Sequence, residues 1–594
     1  MINPFENPYW KTTAKVMEDS QRAMTYFANN LQSEHGSVQA VASDATESIL
    51  KYAQESVKHP WLSTKLTAGL GKNYFEVFKS AVLQVAGKEI ESVIEPSKGD
   101  FRFQDKEWTE NAWFNFIKQA YLITGQAWLA SIHSIPGLDD KTRRRAEFFV
   151  RQFVNAASPS NYILTNPELL SLTFKSRGAN LLQGFERFVK DLEKSADTLK
   201  ISMTDDSAFQ LGVNIATTPG KVVFRCDMFE LIQYTPLTET VSETPLLVVP
   251  PFVNKYYILD LSEKNSYVRW AVEQGQTVFM VSWMNPTAED RNIGFEQYVI
   301  NGVMQALEVV EKQTGIREVN AVGYCIGGTL LMTSIAYMAA RRIKPRVQSA
   351  TLLTTLTDFS DPGDIGVFID EHTVAAIEQQ NNQNGYFDGR VMAVSFSKLR
   401  ENSLYWNYYI QNYLKGESPM PFDLLYWNSD STNITAACHN EMLRKFYLEN
   451  RLVDAGAYTV NGTKIDLAKI NIPLYFISAH QDHIAKWKIT YEGAKICQKN
   501  ATFVLGESGH IAGIVNPPSK GKYSYWTNSE IVADAEEWLQ GSEHHNGSWW
   551  THWNDWLGSY KGDSINPRLA ENGPLEVLCD APGMYVKRKL GVGS

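Results

Sequence analysis

The sequence predicts an α/β protein: a mostly parallel β-sheet with helices, interrupted by a cap insertion and preceded by a mostly helical N-terminal domain. Three observations carry that expectation. Residues 1 to about 200 are dominated by helical periodicity and contain few strand-like runs. Between 241 and 515, short β-rich runs alternate with helical segments, the pattern of βαβ units in a parallel sheet. From about 357 to 440 that alternation stops, which reads as a cap inserted between two strands.

In the N-terminal part, ENAWFNFIKQAYLITGQAWLASIHSI places large apolar side chains every three or four residues, as an amphipathic helix requires. TRRRAEFFVRQFVNAAS repeats the pattern, and SPSNYILTNPELL reads as capped turns between helices. The expected division is a helical domain over 1–200 and a catalytic domain over 201–594 that carries the cap. The strand runs of the second part are TPLLVVPPF (244–252), QTVFMVSW (276–283), REVNAVGYC (317–325), VQSATLLTTL (347–356), IPLYFISAH (472–480) and NATFVLGES (500–508). The cap interval holds DPGD, a QQNNQNG stretch and the aromatic SLYWNYYIQNYL.

Composition narrows the function. Apolar residues make up 44% and charged residues 21%, which suits a globular chain and argues against a disordered or fibrous one. The net charge of −10 makes a dedicated nucleic-acid binder a poor reading, because that affinity rests mainly on neutralising phosphates. Five scattered cysteines form neither a disulfide framework nor a CxxC zinc site. The start, MINPFENPYWKTTAKVMEDS, lacks a basic region followed by an apolar stretch, so no secretory leader is expected. No run of 18 apolar residues occurs, so no transmembrane segment is expected and the cytoplasm is the default compartment.

The chemistry begins at GYCIGG (323–328), where a strand runs in and the helix TLLMTSIAYMAARR runs out. Glycines on either side of Cys325 let the chain turn sharply and leave the middle residue exposed above the sheet edge. The helix N-terminus beneath it favours thiolate over thiol. At composition frequencies G-x-C-x-G should arise about 0.02 times in a chain of this length. The competing reading is a buried core cysteine between packing glycines.

A nucleophile elbow of this kind predicts an acid after a later strand and a histidine after the last one. Asp482 follows IPLYFISAH, and His510 follows NATFVLGES. Three such residues in that order at three strand ends form a candidate nucleophile, acid and base. His480 and His483 flank Asp482 as H-x-D-H, but no further ligand pattern lies nearby, so no metal is expected, and nothing calls for a cofactor. The oxyanion donors are expected to be the backbone N–H of Ile326, next to the nucleophile, and of Val253, since Pro250 and Pro251 have no N–H to offer. Cysteine at the elbow suits acyl transfer from a thioester, because the acyl-thioester it forms stays activated for the next nucleophile. An aromatic cap suits the exclusion of water.

With those blocks in view, the chain resembles the polyhydroxyalkanoate synthases, bacterial enzymes that polymerise (R)-3-hydroxyacyl-CoA into intracellular polyester. The resemblance is carried by PPFVNKYYILDL (250–261), GQTVFMVSWMNP (275–286), GYCIGG (323–328), RENSLYWNYY (400–409) and LLYWNSDSTN (424–433). It continues through DHIAKW (482–487), SGHIAGIVNPP (508–518), GSWW (547–550) and PGMYVK (582–587), so that it runs from about 100 to the C-terminus. The size matches the single-subunit class I enzymes, most closely those of Aeromonas-like and Vibrio-like bacteria.

The resemblance implies an α/β-hydrolase fold and a covalent acyl-Cys325. His510 is then the base, and Asp482 orients it or assists the substrate hydroxyl. It also makes Arg400 and His483 candidate contacts for coenzyme A. A homodimer, release of free CoA, a growing polyester chain and a place on the surface of polyester granules are implied in the same way. So is possible docking of the N-terminal helices (about 20–80 and 105–195) to granule-associated proteins. Two other readings share the residues: a thioesterase or depolymerase on the same fold, and a non-catalytic granule-coat protein.

Overall fold

The computed structural model of the chain describes residues 36–590, apart from 89 and 196–198, together with residues 18 and 22. The opening of the first expected helix, from about residue 20, lies largely outside them. The chain divides into two units, one of residues 1–205 with 394–420 and one of 206–393 with 421–594.

In the first unit the helices begin where polar side chains satisfy the free N–H groups of a first turn. Asn111 caps Ala112–Ser134 by accepting from the N–H of Trp113 (3.0 Å) and Phe114 (3.4 Å). Asp139 caps Asp140–Ala156 through Thr142 N (2.9 Å), and Asn166 caps Pro167–Lys175 through Glu168 N (3.0 Å). Trp108 is buried, with Phe103 edge-on at 5.0 Å. The segment 394–420 packs on Ala179–Lys194: the Tyr413 hydroxyl donates to Asp191 (2.7 Å) and Asn180 donates to the Leu414 carbonyl (2.7 Å).

The second unit is built on one eleven-stranded sheet. In chain order its strands are β1 (Gly220–Arg225), β2 (Phe229–Tyr234), β3 (Leu246–Val249), β4 (Val278–Trp283), β5 (Val319–Tyr324) and β6 (Val347–Leu353). After a long excursion come β7 (Leu474–Ala479), β8 (Ala501–Gly506), β9 (Ser524–Thr527), β10 (Glu543–Asn546) and β11 (Cys579–Asp580). They lie side by side as β10-β9-β8-β7-β6-β5-β3-β4-β2-β1-β11.

The run from β8 through β4 is parallel, and antiparallel strands extend both edges. All six strand runs read from the sequence are members of the parallel run. Their continuous apolar stretches are what a strand covered on both faces needs, and β4, β5 and β7 are buried at every position. The helix after β5, Ile326–Ala340, is apolar all round and buried from Ile326 to Met338, as a helix inside a core must be. Among the described residues no helix is long and apolar enough to cross a membrane.

Candidate active site

Cys325 joins β5 to the helix Ile326–Ala340 with φ 52° and ψ −125°, a conformation in which an L side chain is strained. The surroundings hold it there. Its N–H donates to the Leu353 carbonyl at the end of β6 (2.9 Å), and its carbonyl accepts from Gly328 N (2.9 Å). The glycines are required by close approach: a Cβ on Gly323 would lie 2.5 Å from Gly328 Cα, and one on Gly327 would collide with the Val249 and Pro250 carbonyls. The exit of β3 therefore abuts the first turn of the elbow helix. Ile326 presents one of the N-terminal N–H groups that have no acceptor within their own helix. Val253 follows the two prolines in the turn after β3 and is half-buried, and Trp283 Nε1 fixes this turn by donating to the Pro250 carbonyl (2.9 Å).

The candidate acid and base, Asp482 and His510, come from the ends of β7 and β8. Asp482 Oδ1 accepts from the N–H groups of Ile484 (2.8 Å) and Ala485 (2.9 Å), which leaves Oδ2 for His510 Nδ1 at 2.6 Å. The two loops are tied together: Gln481 N donates to the Ser508 carbonyl (2.7 Å), and Ser508 holds φ 74°. The imidazole is nearly enclosed. Burial by itself opposes its protonation, but the Asp482 carboxylate, the Cys325 sulfur and the hydrogen bonds both make to His510 raise its basicity well above the ordinary histidine range. The three residues singled out from the sequence are thus brought together, with His510 between acid and sulfur.

Two sets of residues missed in the sequence support His510. Tyr324 is buried beside Cys325 in the chain, where its ring stacks on His510 at 5.8 Å and its hydroxyl donates to the His510 carbonyl (3.2 Å). The tryptophans of the GSWW segment hold the next turn of the same loop. Trp549 Nε1 donates to the Gly513 carbonyl (3.0 Å) and Trp550 Nε1 to the Ile514 carbonyl (2.9 Å). Trp553 Nε1 anchors their helix to Thr351 Oγ1 on β6 (2.8 Å). Sequence periodicity marks such tryptophans only as apolar; their donors become visible once the loop lies beneath them.

Beyond the turn after β3, Lys255 is buried. Its ammonium binds Asp430 (2.7 Å) and the Arg588 carbonyl (2.9 Å), and its own carbonyl accepts from Trp427 Nε1 (2.7 Å). The Tyr257 hydroxyl completes the carboxylate (2.9 Å). Trp427 and Asp430 therefore hold structure in this unit.

His483 follows the acid, and its carbonyl accepts from Asp364 N (2.9 Å). Arg400 is exposed and belongs to the first unit, where its carbonyl accepts from Ser403 N and Leu404 N.

A family model described as "Poly-beta-hydroxybutyrate polymerase (PhaC) N-terminus" matches residues 99–271, and one described as the alpha/beta hydrolase fold matches 256–517. The second unit accordingly has the α/β-hydrolase fold. The chain is similar to "Poly(3-hydroxyalkanoate) polymerase subunit PhaC" of Rhizobium meliloti (strain 1021), with 41% identity over 92% of this chain and 89% of that one. It is 41% identical to "Poly(3-hydroxyalkanoate) polymerase" of Methylorubrum extorquens over 92% and 90% of the two chains. To the polymerase subunit of Cupriavidus necator it is 42% identical over 82% and 83%.

Proposed function

The chain belongs to the poly(3-hydroxyalkanoate) polymerase family and is an acyltransferase of that kind; from this premise we propose that it builds polyester through a thioester on Cys325. His510 accepts the proton of the Cys325 thiol, and the sulfur attacks the thioester carbonyl of an (R)-3-hydroxyacyl-CoA. The N–H groups of Ile326 and Val253 hold the tetrahedral oxyanion. Its collapse breaks the carbon–sulfur bond to coenzyme A, which leaves as the thiol with the proton held by His510. The hydroxyl of a chain end or second monomer then attacks acyl-Cys325, losing its proton to His510 as the new ester bond forms. The Cys325–acyl bond breaks, and the sulfur is ready for another cycle. Asp482 keeps Nε2 of His510 directed at the sulfur and stabilises the imidazolium.

The observation that supports this most is the placement of His510. Its Nδ1 is 2.6 Å from a fully buried carboxylate, and the sulfur of Cys325, a cysteine held at positive φ above a helix N-terminus, is among the groups that raise its basicity. Arg400 and His483 are proposed as coenzyme A contacts, and removing either side chain should raise KM more than it lowers kcat. Because the product is insoluble in water, the enzyme is proposed to work at the granule surface, as a homodimer, with the helical N-terminal domain available for docking. The test is CoA release from (R)-3-hydroxybutyryl-CoA by the wild type and by Cys325→Ala, with the acyl product identified. Thiol release with insoluble polyester in the wild type, and neither in the variant, is expected. Soluble 3-hydroxybutyrate alone would mean a thioesterase, and equal activity in Cys325→Ala would remove Cys325 from the mechanism.

A further inference from the structure

The orientation of Asp482 depends on one peptide group that is bonded at both ends. The amide joining His483 to Ile484 donates its N–H to Asp482 Oδ1 (2.8 Å), and its carbonyl oxygen accepts from Asp364 N (2.9 Å). A trans peptide is planar, with N–H and C=O on opposite sides, so neither bond can turn without turning the other. The bond from Asp364 also polarises the group and strengthens its N–H as a donor to the carboxylate.

The segment that makes this second bond is the chain leaving β6, and it is itself held along its length. Thr354 N donates to the Ile477 carbonyl on β7 (2.8 Å), and the Leu356 carbonyl accepts from Thr329 Oγ1 on the elbow helix (2.6 Å). Asn450 takes the next stretch: its amide oxygen accepts from Phe359 N (2.8 Å) and its amide nitrogen donates to Asp358 (2.9 Å). Asp361 then binds Lys486 Nζ through both oxygens (3.1 and 3.0 Å) and accepts from Gly363 N (3.3 Å). Lys486 ends the loop that opens at Asp482, just before the helix Trp487–Ile496. Both members of that ion pair are partly exposed, so it adds little energy and serves to set register. The close contact comes two residues later. Gly363 is buried at φ 66°, and a Cβ there would lie 2.1 Å from the His483 carbonyl oxygen and 2.9 Å from its carbon. A side chain at 363 would therefore drive that oxygen off Asp364 N.

We propose that residues 361–364 form a positioning strap for the acid: through the His483–Ile484 peptide they hold the Asp482 carboxylate with Oδ2 presented to His510. The inference rests on the proposed reading of Asp482 as the group that orients His510. The strap acts through Asp482, so Gly363 and the Asp364 N–H are positioning groups and not catalytic ones. A shift of about 1 Å in a group that sets the site can cost about 10²-fold in rate.

The experiment measures kcat/KM for CoA release from (R)-3-hydroxybutyryl-CoA, with thermal midpoints alongside, in Gly363→Ala, Asp364→Pro and Asp364→Ala, each alone and combined with Asp482→Asn. Gly363→Ala pushes the carbonyl away, Asp364→Pro deletes the N–H, and Asp364→Ala keeps it. Alone, the first two should lose about 10- to 100-fold. Combined with Asp482→Asn they should lose no more than about threefold beyond Asp482→Asn itself, because groups acting as one unit are not additive. Asp364→Ala should stay within about threefold of the wild type. Should Gly363→Ala not fold, Asp364→Pro against Asp364→Ala carries the comparison. Equal proportional losses with and without Asp482→Asn overturn the proposal, as does a loss in Asp364→Ala that matches Asp364→Pro. Undiminished rates in Gly363→Ala and Asp364→Pro overturn it too, and so does failure of both to fold, which would make the segment an element of the fold alone. Full activity in Asp482→Asn by itself would instead overturn the reading of the acid.

Discussion

Replacing Asp482 with Asn keeps the shape of the site and removes one charge. The amide oxygen can still accept from Ile484 N and Ala485 N, so the loop keeps both anchors. What is lost is the carboxylate 2.6 Å from His510 Nδ1, in a place where the Asp482 side chain has no exposed surface. Two unit charges about 4 Å apart, at an effective dielectric constant of about 20, attract by about 4 kcal/mol. At 1.36 kcal/mol per decade, loss of that attraction to the imidazolium corresponds to about a 10³-fold fall in kcat/KM.

The sign of the pH effect also follows. Burial opposes protonation of His510, and Asp482 is the main group that outweighs it, so the imidazolium of the variant gives up its proton at lower pH. The alkaline limb of kcat/KM for CoA release, measured between about pH 5 and 10, should shift to lower pH in Asp482→Asn while the thermal midpoint moves little. A loss under about fivefold with an unmoved limb would refute the electrostatic role assigned to this carboxylate.

Three further outcomes are expected. Asp430→Asn leaves the ammonium of Lys255 buried without its counter-charge and should cost about 3–5 kcal/mol in denaturant unfolding, while a paired Lys255→Met/Asp430→Leu variant should recover much of it. Gly323→Ala forces a methyl against Gly328 Cα and should cost about 1–3 kcal/mol with a larger proportional loss of activity, seen by parallel thermal unfolding and CoA-release assays. His439 is buried between Asn381 and the ring of Phe387, and burial lowers its pKa to about 3. Its folded value lies below its unfolded one, so the stability it contributes is present above pH 6.5 and is lost as pH falls towards about 3; stability against pH should decline less steeply in His439→Gln.

What could be read from the sequence follows from how strongly each feature constrains composition. Parallel strands buried on both faces require runs such as LLVV and VFMVSW, and those runs announced themselves. The edge strands did not. β10 is Glu-His-His-Asn, held by pairing with β9 rather than by any apolar pattern, and β11 has two residues set against β1. GYCIGG was legible because the strand-to-helix turn tolerates so few residue types around Cys325. The strap at 361–364 and the tryptophan donors were not, because their significance lies in distances between segments far apart in the chain. The same is true of residues 394–420, whose aromatic stretch looks like cap in the sequence yet groups with residues 1–205.

The tryptophan anchors also set an order of events during synthesis. The strand leading to Cys325 is complete by Tyr324, but the loop bearing His510 is fastened from Trp549 and Trp550, and the first strand of the sheet gains its outer neighbour only at Cys579. A nascent chain that has reached Gly506 therefore contains the sulfur, the acid and most of the sheet, and still lacks a held base. On the proposed mechanism, acyl transfer would wait for this C-terminal anchoring, so a chain still short of Trp549 would carry the sulfur without a fastened base.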